Sequence, residues 1–514
     1  MSSRREFLNT FVAGGVLGAI TASGRTARDG LGLLLGTPEG SPDPWEEVPR
    51  ILARIRAPQF SDREFMIGKY GAVGDNKTDC TQAFQEAIAA CHAAGGGRVV
   101  VPEGEFISGA ITLLSGVNLH IREGGTIRFS RDPRKYPLVF TRFEGTELMN
   151  YSPFIYAFEQ ENIAITGKGT IDGNADCEHW WPWAGRPGCG WKKGDPAARQ
   201  DRALLQGMAE KGVPVRERVF GEGHYLRPQF IQPLRCKNVL IEGVTLLNSP
   251  MWQVHPALSS NVIVQGLTIS SSGPNTDGCD PDSCRDVLIK DCFFSTGDDC
   301  IAIKSGRNAD GRRVNVPSEN IVIQGCHMKD GHGGVTVGSE VSGSVRNVFA
   351  ENCRMDSPHL NVALRIKTNA MRGGVVENIH ARHIEVGQVS DAGLSINFYY
   401  EEGEAGKFIP EVRNVEIRNM TVQKAKFAVF LRGFKNAPIE NVHLSDCDFE
   451  NVAEANVVEN VKGISFQNVR INGKAAEPSL AKDRRGVGVP RRGHSQSSLF
   501  SALSRCVSGT GLLK

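Results

Sequence analysis

The chain has 514 residues, 59 Lys and Arg against 57 Asp and Glu, and a net charge of +2. A chain so nearly neutral has no global field to draw it to nucleic acid, and an acidic partner must be held by local cations. Its 58 glycines and 7% aromatic content favour many turns and short strands over a helical bundle. At the N-terminus, Ser3-Arg4-Arg5-Glu6-Phe7-Leu8 is a twin-arginine signature, followed by an apolar stretch from Phe11 to Ile20. That stretch is well short of the ~20 residues that cross a bilayer, so residues 1–25 read as a removable export signal. The expectation is a monomer exported from a bacterium to the periplasm or beyond, with no nucleic-acid partner and no membrane partner after the signal is lost. Residues 26–57, rich in Gly and Pro, read as a linker.

Next in the chain, Cys80, Ala83, Phe84, Ala87, Ile88 and Cys91 recur with helical spacing and predict one helix with a single buried stripe. Asp79 and Gln82 suggest a capping box at its start, and Gly95-Gly96-Gly97 ends it. Such a helix suits the open end of a sheet, where unpaired backbone needs cover. Residues 174–230 carry Trp180, Trp181, Trp183 and Trp191 among Gly, Pro and charges. They form a long insertion, ordered by its tryptophans.

A repeat governs most of the rest: Asn, Asp or Gly, then a branched aliphatic, with an apolar residue six positions after the start. It begins at Asn238, Asn261, Asp286, Asn320, Asn347, Asn378, Asn414, Asn441 and Gly463, at intervals of 22 to 36 residues. Each unit is too small to bury its own face, so the units must stack as a solenoid. Alternating Val and Ile with polar residues makes the units strands, and no long helix separates them. The fold class expected is all-β: a right-handed parallel β-helix of roughly ten coils over residues 58–473, with an N-terminal capping helix. A β-propeller is the rival, but its blades need a longer and tighter period. The leading asparagines suit left-handed turns and predict an interior amide ladder. Cys292, Cys326, Cys353 and Cys447 share one slot and read as an interior column of thiols, leaving Cys177 and Cys189 as the first candidate disulfide pair. Residues 474–514, with eight Lys and Arg against two acids, read as a disordered basic tail.

Four clusters fall at like places in successive repeats: Asn275-Thr276-Asp277-Gly278, Gly297-Asp298-Asp299, Gly331-His332-Gly333 and Arg365-Ile366-Lys367. A coiling backbone would stack them on one exposed flank. Asp277 precedes Asp298 by 21 residues, about one coil. Adjacent Asp298 and Asp299 reach one cleft only if the backbone turns between them, a freedom assigned to Gly297. Crowded carboxyls raise one another's proton affinity, so that one serves as acid while others stay ionised. Glycines around His332 would admit substrate and let the imidazole lean toward the acid. Arg365 and Lys367, two apart on one strand face, suit a carboxylate. An anionic polymer cut by acid/base chemistry fits this set. Taken singly, each cluster also suits a solvated turn or charged face.

Together the four motifs, in order and intact, resemble the polygalacturonases, family 28 of the glycoside hydrolases. The likeness covers about residues 66–473 and includes Tyr70-Gly-Ala-Val-Gly-Asp75, Ile171-Asp-Gly-Asn174 and Asn248-Ser-Pro-Met-Trp252. The resemblance implies inverting hydrolysis of α-1,4-galacturonosyl bonds in polygalacturonate or its oligomers, with no metal and no cofactor. It makes Asp298 the general acid, sustained by His332. Asp277 and Asp299 hold and deprotonate the attacking water, and Asn275, Arg365, Lys367 and Tyr400 (or its neighbour Tyr399) contact substrate. Lys304-Ser-Gly-Arg307 and Val337-Gly-Ser-Glu340 look like the bacterial exo-acting branch, with residues 174–230 walling off one end of the cleft. Alternatives on the same scaffold are a rhamnogalacturonan hydrolase, a Ca²⁺-dependent pectate lyase and a non-enzymatic polysaccharide binder.

Overall fold

The structure, a computed structural model, describes residues 43–478. The expected export signal, residues 26–42 of the expected linker, and residues 479–514 of the expected tail lie outside the described residues. The remainder is a right-handed parallel β-helix. In its long sheet one interior column keeps a single register from Phe65 through Val99, Leu119, Ile165, Ile241, Val264, Ile289, Ile323, Ala350, Ala381, Ile417 and Leu444 to Phe466. That is more rungs than the repeat alone suggests, because the first coils lack most of its signature. The site is carried by a second parallel strip: Ile301–Ile303, Gly331–Gly338, Leu360–Lys367, Ala392–Asn397, Phe427–Arg432 and Val457–Glu459.

The repeat's leading residues all take left-handed backbone, with φ from 52° to 59° at Asn238, Asn261, Asp286, Asn320, Asn347, Asn378, Asn414 and Asn441. A short amide tolerates that region and bonds its neighbours there. Each amide donates to the residue one coil earlier: Asn261 to Asn238 at 2.7 Å, Asn320 to Asp286 at 3.1 Å, and on through Asn347, Asn378, Asn414 and Asn441. Asn162, whose turn the repeat did not include, begins the ladder by accepting from Asn238. The ladder is not interior as expected. It runs half-buried along a corner and is exposed at Asn414 and Asn441. Asp286 has no amide to donate, so the ladder breaks before it. The Arg56 backbone N–H fills the gap on Asn261 Oδ1 at 2.8 Å, and Arg54 pairs with Asp286 at 2.9 Å.

Those two arginines belong to a segment expected to be linker. Residues 43–57 instead hold a 3₁₀ turn, Pro44–Glu46, and helix α1, Glu47–Arg54. Trp45, Val48, Ile51 and Ile55 are buried against Ala164, Leu240, Ile263, Val322 and Phe349. These partners point outward from the long sheet, while their neighbours on either side point into the coil. Strands such as Val239-Leu240-Ile241 and Ile321-Val322-Ile323 are therefore apolar on both faces, the mark of a covered sheet.

Helix α2, Thr81–Ala93, buries the expected stripe of Ala83, Phe84, Ala87, Ile88 and Cys91. The expected capping box is absent: Asp79 accepts from Thr81 N at 2.9 Å, and Gln82 instead donates to Glu86 at 2.8 Å. The thiols of Cys292, Cys326, Cys353 and Cys447 are buried and free, as the shared slot predicts, and Cys177–Cys189 is a disulfide. Within the insertion lies a helix the sequence reading did not foresee, α3, Ala198–Glu210, whose Ala198 and Leu205 pack with Phe143, Leu148, Phe220 and Leu226. A short helix α4, Asn308–Val314, and the hairpin Leu138–Phe143/Thr146–Tyr151 complete this side. Beyond the last coil, Lys474–Ala475 folds back antiparallel on Arg470–Ile471.

Candidate active site

Parallel register places the four motifs on successive rungs. Cys279 bridges to Ile301, Ile301 pairs with Val335, and Val335 pairs with Leu364. The side chains just before and after these positions therefore converge. One carboxylate oxygen from each of Asp277, Asp298 and Asp299 lies within 4.8 Å of the other two. For three such oxygens a single point lies within about 2.8 Å of all, hydrogen-bond distance for one water.

Gly297 and Asp298 form a bend, and the carboxyls of Asp298 and Asp299 both reach the cluster, as expected. The role expected of Gly297 is corrected. Its backbone is not in the left-handed region, and a Cβ there would collide with Gly273 O on the previous rung. Glycine is needed for coil-to-coil approach. The same holds beside His332, where a Cβ on Gly331 would stand 2.6 Å from Asp298 O and one on Gly333 2.8 Å from Asp299 Oδ1. These glycines admit the protein's own neighbouring rung, where sequence reading assigned them to substrate. Nor is the cluster on an exposed flank. Asp277 and Asp299 are buried, while His332, Arg365 and the edge of Asp298 reach solvent, with side chains 31%, 21% and 13% exposed.

Each carboxyl has its own electrostatic setting. His332 Nδ1 donates to Asp298 Oδ1 at 2.8 Å, and the Asn275 amide stands 3.5 Å from Oδ2. Burial pushes the Asp298 carboxyl up, but the His332 charge and hydrogen bond, with Lys367 and Arg186, bring it well below the usual range. Asp298 in turn raises the His332 imidazole against the opposing effect of burial. Both directions favour a proton on the imidazole beside an ionised Asp298, the residue expected to be the acid. Asp299 accepts from Lys367 Nζ at 2.6 Å and lies 3.5 Å from Arg365 Nη1. Asp277, expected as a base, has a different setting. Burial, then Asp280 and Asp298 nearby, hold its carboxyl well above the usual range despite Lys304.

Lys304 and Asp280 were not among the expected site residues. Wholly buried, the Lys304 ammonium stands 3.7 Å from Asp277, 3.7 Å from Asp280 and 3.4 Å from Glu340, and 4.4 Å from the centre of the Trp252 ring. Glu340 also pairs with Arg307 at 3.4 Å, so the two segments singled out as branch markers bind each other. The sequence did carry a signal: a lysine ending the apolar run Ile301-Ala302-Ile303 must find carboxylates inside. Tyr400, not Tyr399, faces the site. Its ring centre lies 5.0 Å from Lys367 Nζ and 5.7 Å from Arg365, whereas Tyr399 packs on Phe434 and Arg432. Asn275 Oδ1 accepts from Arg227 at 2.9 Å and lies 3.5 Å from Arg186, two cations that sequence reading missed.

Three clustered carboxylates have the spacing to bridge a divalent ion. Here Lys367 and Arg365 neutralise Asp299, His332 neutralises Asp298, and Lys304 stands against Asp277. The donor set already carries its cations, which argues for proton chemistry at this position.

The model of glycosyl hydrolases family 28 matches residues 221–475, a span that holds all four motifs. A probable polygalacturonase of Vitis vinifera is 29% identical over 415 residues, 77% of each chain. An exo-poly-alpha-D-galacturonosidase of Dickeya chrysanthemi is 24% identical over 469 residues, 80% of this chain and 75% of the other. Among solved structures, a hyperthermoactive exopolygalacturonase from Thermotoga maritima superposes with a TM-score of 0.82 at 47% identity, covering 84% of this chain and 96% of its own. Sequence, fold and the set of carboxyls therefore converge on one assignment, and the chain belongs to family 28 of the glycosyl hydrolases.

Proposed function

We propose that the protein hydrolyses α-1,4-galacturonosyl bonds of polygalacturonate, releasing short units from chain ends. The observation that carries this reading is a point within hydrogen-bond reach of Asp277, Asp298 and Asp299, next to the cations Lys367 and Arg365. A uronate carboxylate entering beside Tyr400 competes with Asp299 for those two cations. Sharing them leaves Asp299 freer to take the proton of the water. Asp277, whose proton affinity burial and the neighbouring carboxylates raise, orients that water, and the proton stored on His332 passes through Asp298 to the departing glycosidic oxygen. Attack by water on the face opposite the leaving group inverts the anomeric centre. Exo action is supported by the insertion at residues 174–230, which packs beside Asn275 at one end of the site, and by the names of the Dickeya and Thermotoga relatives.

The test is a time course on defined galacturonate oligomers, with products sized and the new anomer followed by NMR. Hydrolysis gives saturated products, initially of one inverted anomer, and exo action gives only short products while viscosity falls slowly. Unsaturated, ultraviolet-absorbing products would establish the lyase alternative instead. Asp298→Asn abolishes product formation if the site is catalytic and leaves a mere binder intact. For residues 1–25 we propose export by the twin-arginine route, supported by Arg4-Arg5 and the short apolar run. Loss of export on Arg4→Lys, Arg5→Lys substitution checks it.

A further inference from the structure

Most buried arginines among the described residues are matched to a carboxylate. Arg142 meets Asp282 at 3.0 Å, Arg218 meets Asp310 at 2.8 Å, and Arg307 meets Glu144 at 3.0 Å. Arg372 meets Glu401 at 2.6 Å. Two guanidiniums beside the acid cluster break this pattern. Arg227, also buried, donates to Pro250 O, Pro274 O and Asn275 Oδ1, all neutral acceptors. Arg186, half-buried, reaches only Asn275 Oδ1, at 3.5 Å, and forms no ion pair among the described residues. Burial and then the nearness of Arg186 push the Arg227 guanidinium down to about 9. Two cations crowded on one amide oxygen, with the Asp298 charge nearby but no carboxylate in an ion pair with either among the described residues, form a place that a further anion stabilises.

Arg186 is not a stray surface side chain. It lies within the loop closed by the Cys177–Cys189 disulfide. Trp180 of that loop is buried against Tyr136 and Phe154. The Trp181 indole donates to Ser249 O at 2.9 Å and lies so close on Gly273 that no Cβ fits there. Gly273 is two residues before Asn275, so the loop is fixed to the very turn whose amide faces Asp298. Along the coil axis that turn sits on the rung preceding Asp298, while Arg365 and Lys367 sit two rungs after it. The acid cluster is thus bracketed by cations on both sides.

We infer that Arg186 is a second carboxylate clamp, binding the uronate on the side of the scissile bond away from Arg365 and Lys367. This rests on the galacturonate reading above, and it makes the insertion a reader of charge as well as a wall. Arg227 backs the clamp by fixing Asn275 and adding charge. A polyuronate carries one carboxylate per sugar, so the two sugars flanking the bond to be cut present one anion to each cation pair. A planar guanidinium suits that anion bidentately.

The experiment compares wild type with Arg186→Gln and Arg186→Lys on galacturonate dimers and trimers carrying a methyl ester on a chosen unit. On the free acid, Arg186→Gln is expected to lower kcat/KM by about 10- to 100-fold, mostly through KM. Arg186→Lys is expected to recover part of the loss. On substrate esterified at the unit that Arg186 faces, wild type and Arg186→Gln should agree within about twofold, because the partner charge is already gone. Esterifying the unit that faces Arg365 should leave the full Arg186→Gln loss in place. An equal loss on all three substrates, with unchanged thermal unfolding, overturns the clamp. Should wild type cleave no galacturonate oligomer, the functional reading falls separately. Calorimetry with digalacturonate then decides the clamp: equal affinity of wild type and Arg186→Gln overturns it, and tenfold weaker binding by the variant supports it.

Discussion

His332 Nδ1 stands 2.8 Å from Asp298 Oδ1, and the two groups pull each other's proton affinity in opposite directions, the imidazole up and the carboxyl down. The pair keeps its proton as pH rises past the ordinary imidazole value near ~6.5 and loses it only above. The expected profile of kcat/KM is therefore flat through ~6.5, with a fall at higher pH as the raised imidazole deprotonates. His332→Asn should cut kcat by about 10²- to 10⁴-fold and move the alkaline limb to lower pH. A profile unchanged in shape by the substitution would remove His332 from the proton path.

Asp277 offers a stability experiment with a definite sign. Its buried carboxyl is raised well above the unfolded value. Between the two values folding takes up a proton, so stability falls as pH rises through that window and the native state carries the cost at neutral pH. Asp277→Asn removes the charge and keeps the shape. It is expected to raise Tm at neutral pH by a few degrees, to lose that advantage in acid, and to abolish turnover. Thermal melts of both proteins across pH check all three outcomes.

Lys304 is the sole ammonium beside Asp277 and Asp280 among the described residues, and neither carboxyl has another cation within 4 Å there. Lys304→Met strands them in the interior, which costs roughly 3–5 kcal/mol when one partner of a buried pair is removed. Adding Asp280→Asn should recover a large part of that loss. A double-mutant cycle in denaturant measures the coupling, and strictly additive effects would contradict the network.

Gly297→Ala probes the coil spacing. The added methyl must displace Gly273 O or shift the bend that carries Asp298 and Asp299. Because a misplacement of ~1 Å can cost about 10²-fold in rate, the variant should lose at least that factor in kcat while remaining folded by circular dichroism.

The sequence by itself determined the coil, its asparagine column, the buried thiols, α2 and the four motifs, because these follow from local pattern: period, strand alternation, turn chemistry and fixed spacing. Apolar triplets such as Val262-Ile263-Val264 also mark a sheet covered on both faces, but that α1, in a segment expected to be linker, supplies the cover came only from the structure. Tertiary structure alone decided which groups stand beside each acid. Lys304 lies 27 residues from Asp277, Arg186 lies 89 residues from Asn275, and Asp299 is paired with a lysine 68 residues away. Proton affinities and ion pairs depend on distances of a few ångströms across rungs, and the exact rung-to-rung approach is fixed by stacking, insertion length and glycine contacts that no repeat encodes. For that reason the chemistry of the family was legible from the chain, while the resting place of its proton and the second set of cations emerged only from the folded coil.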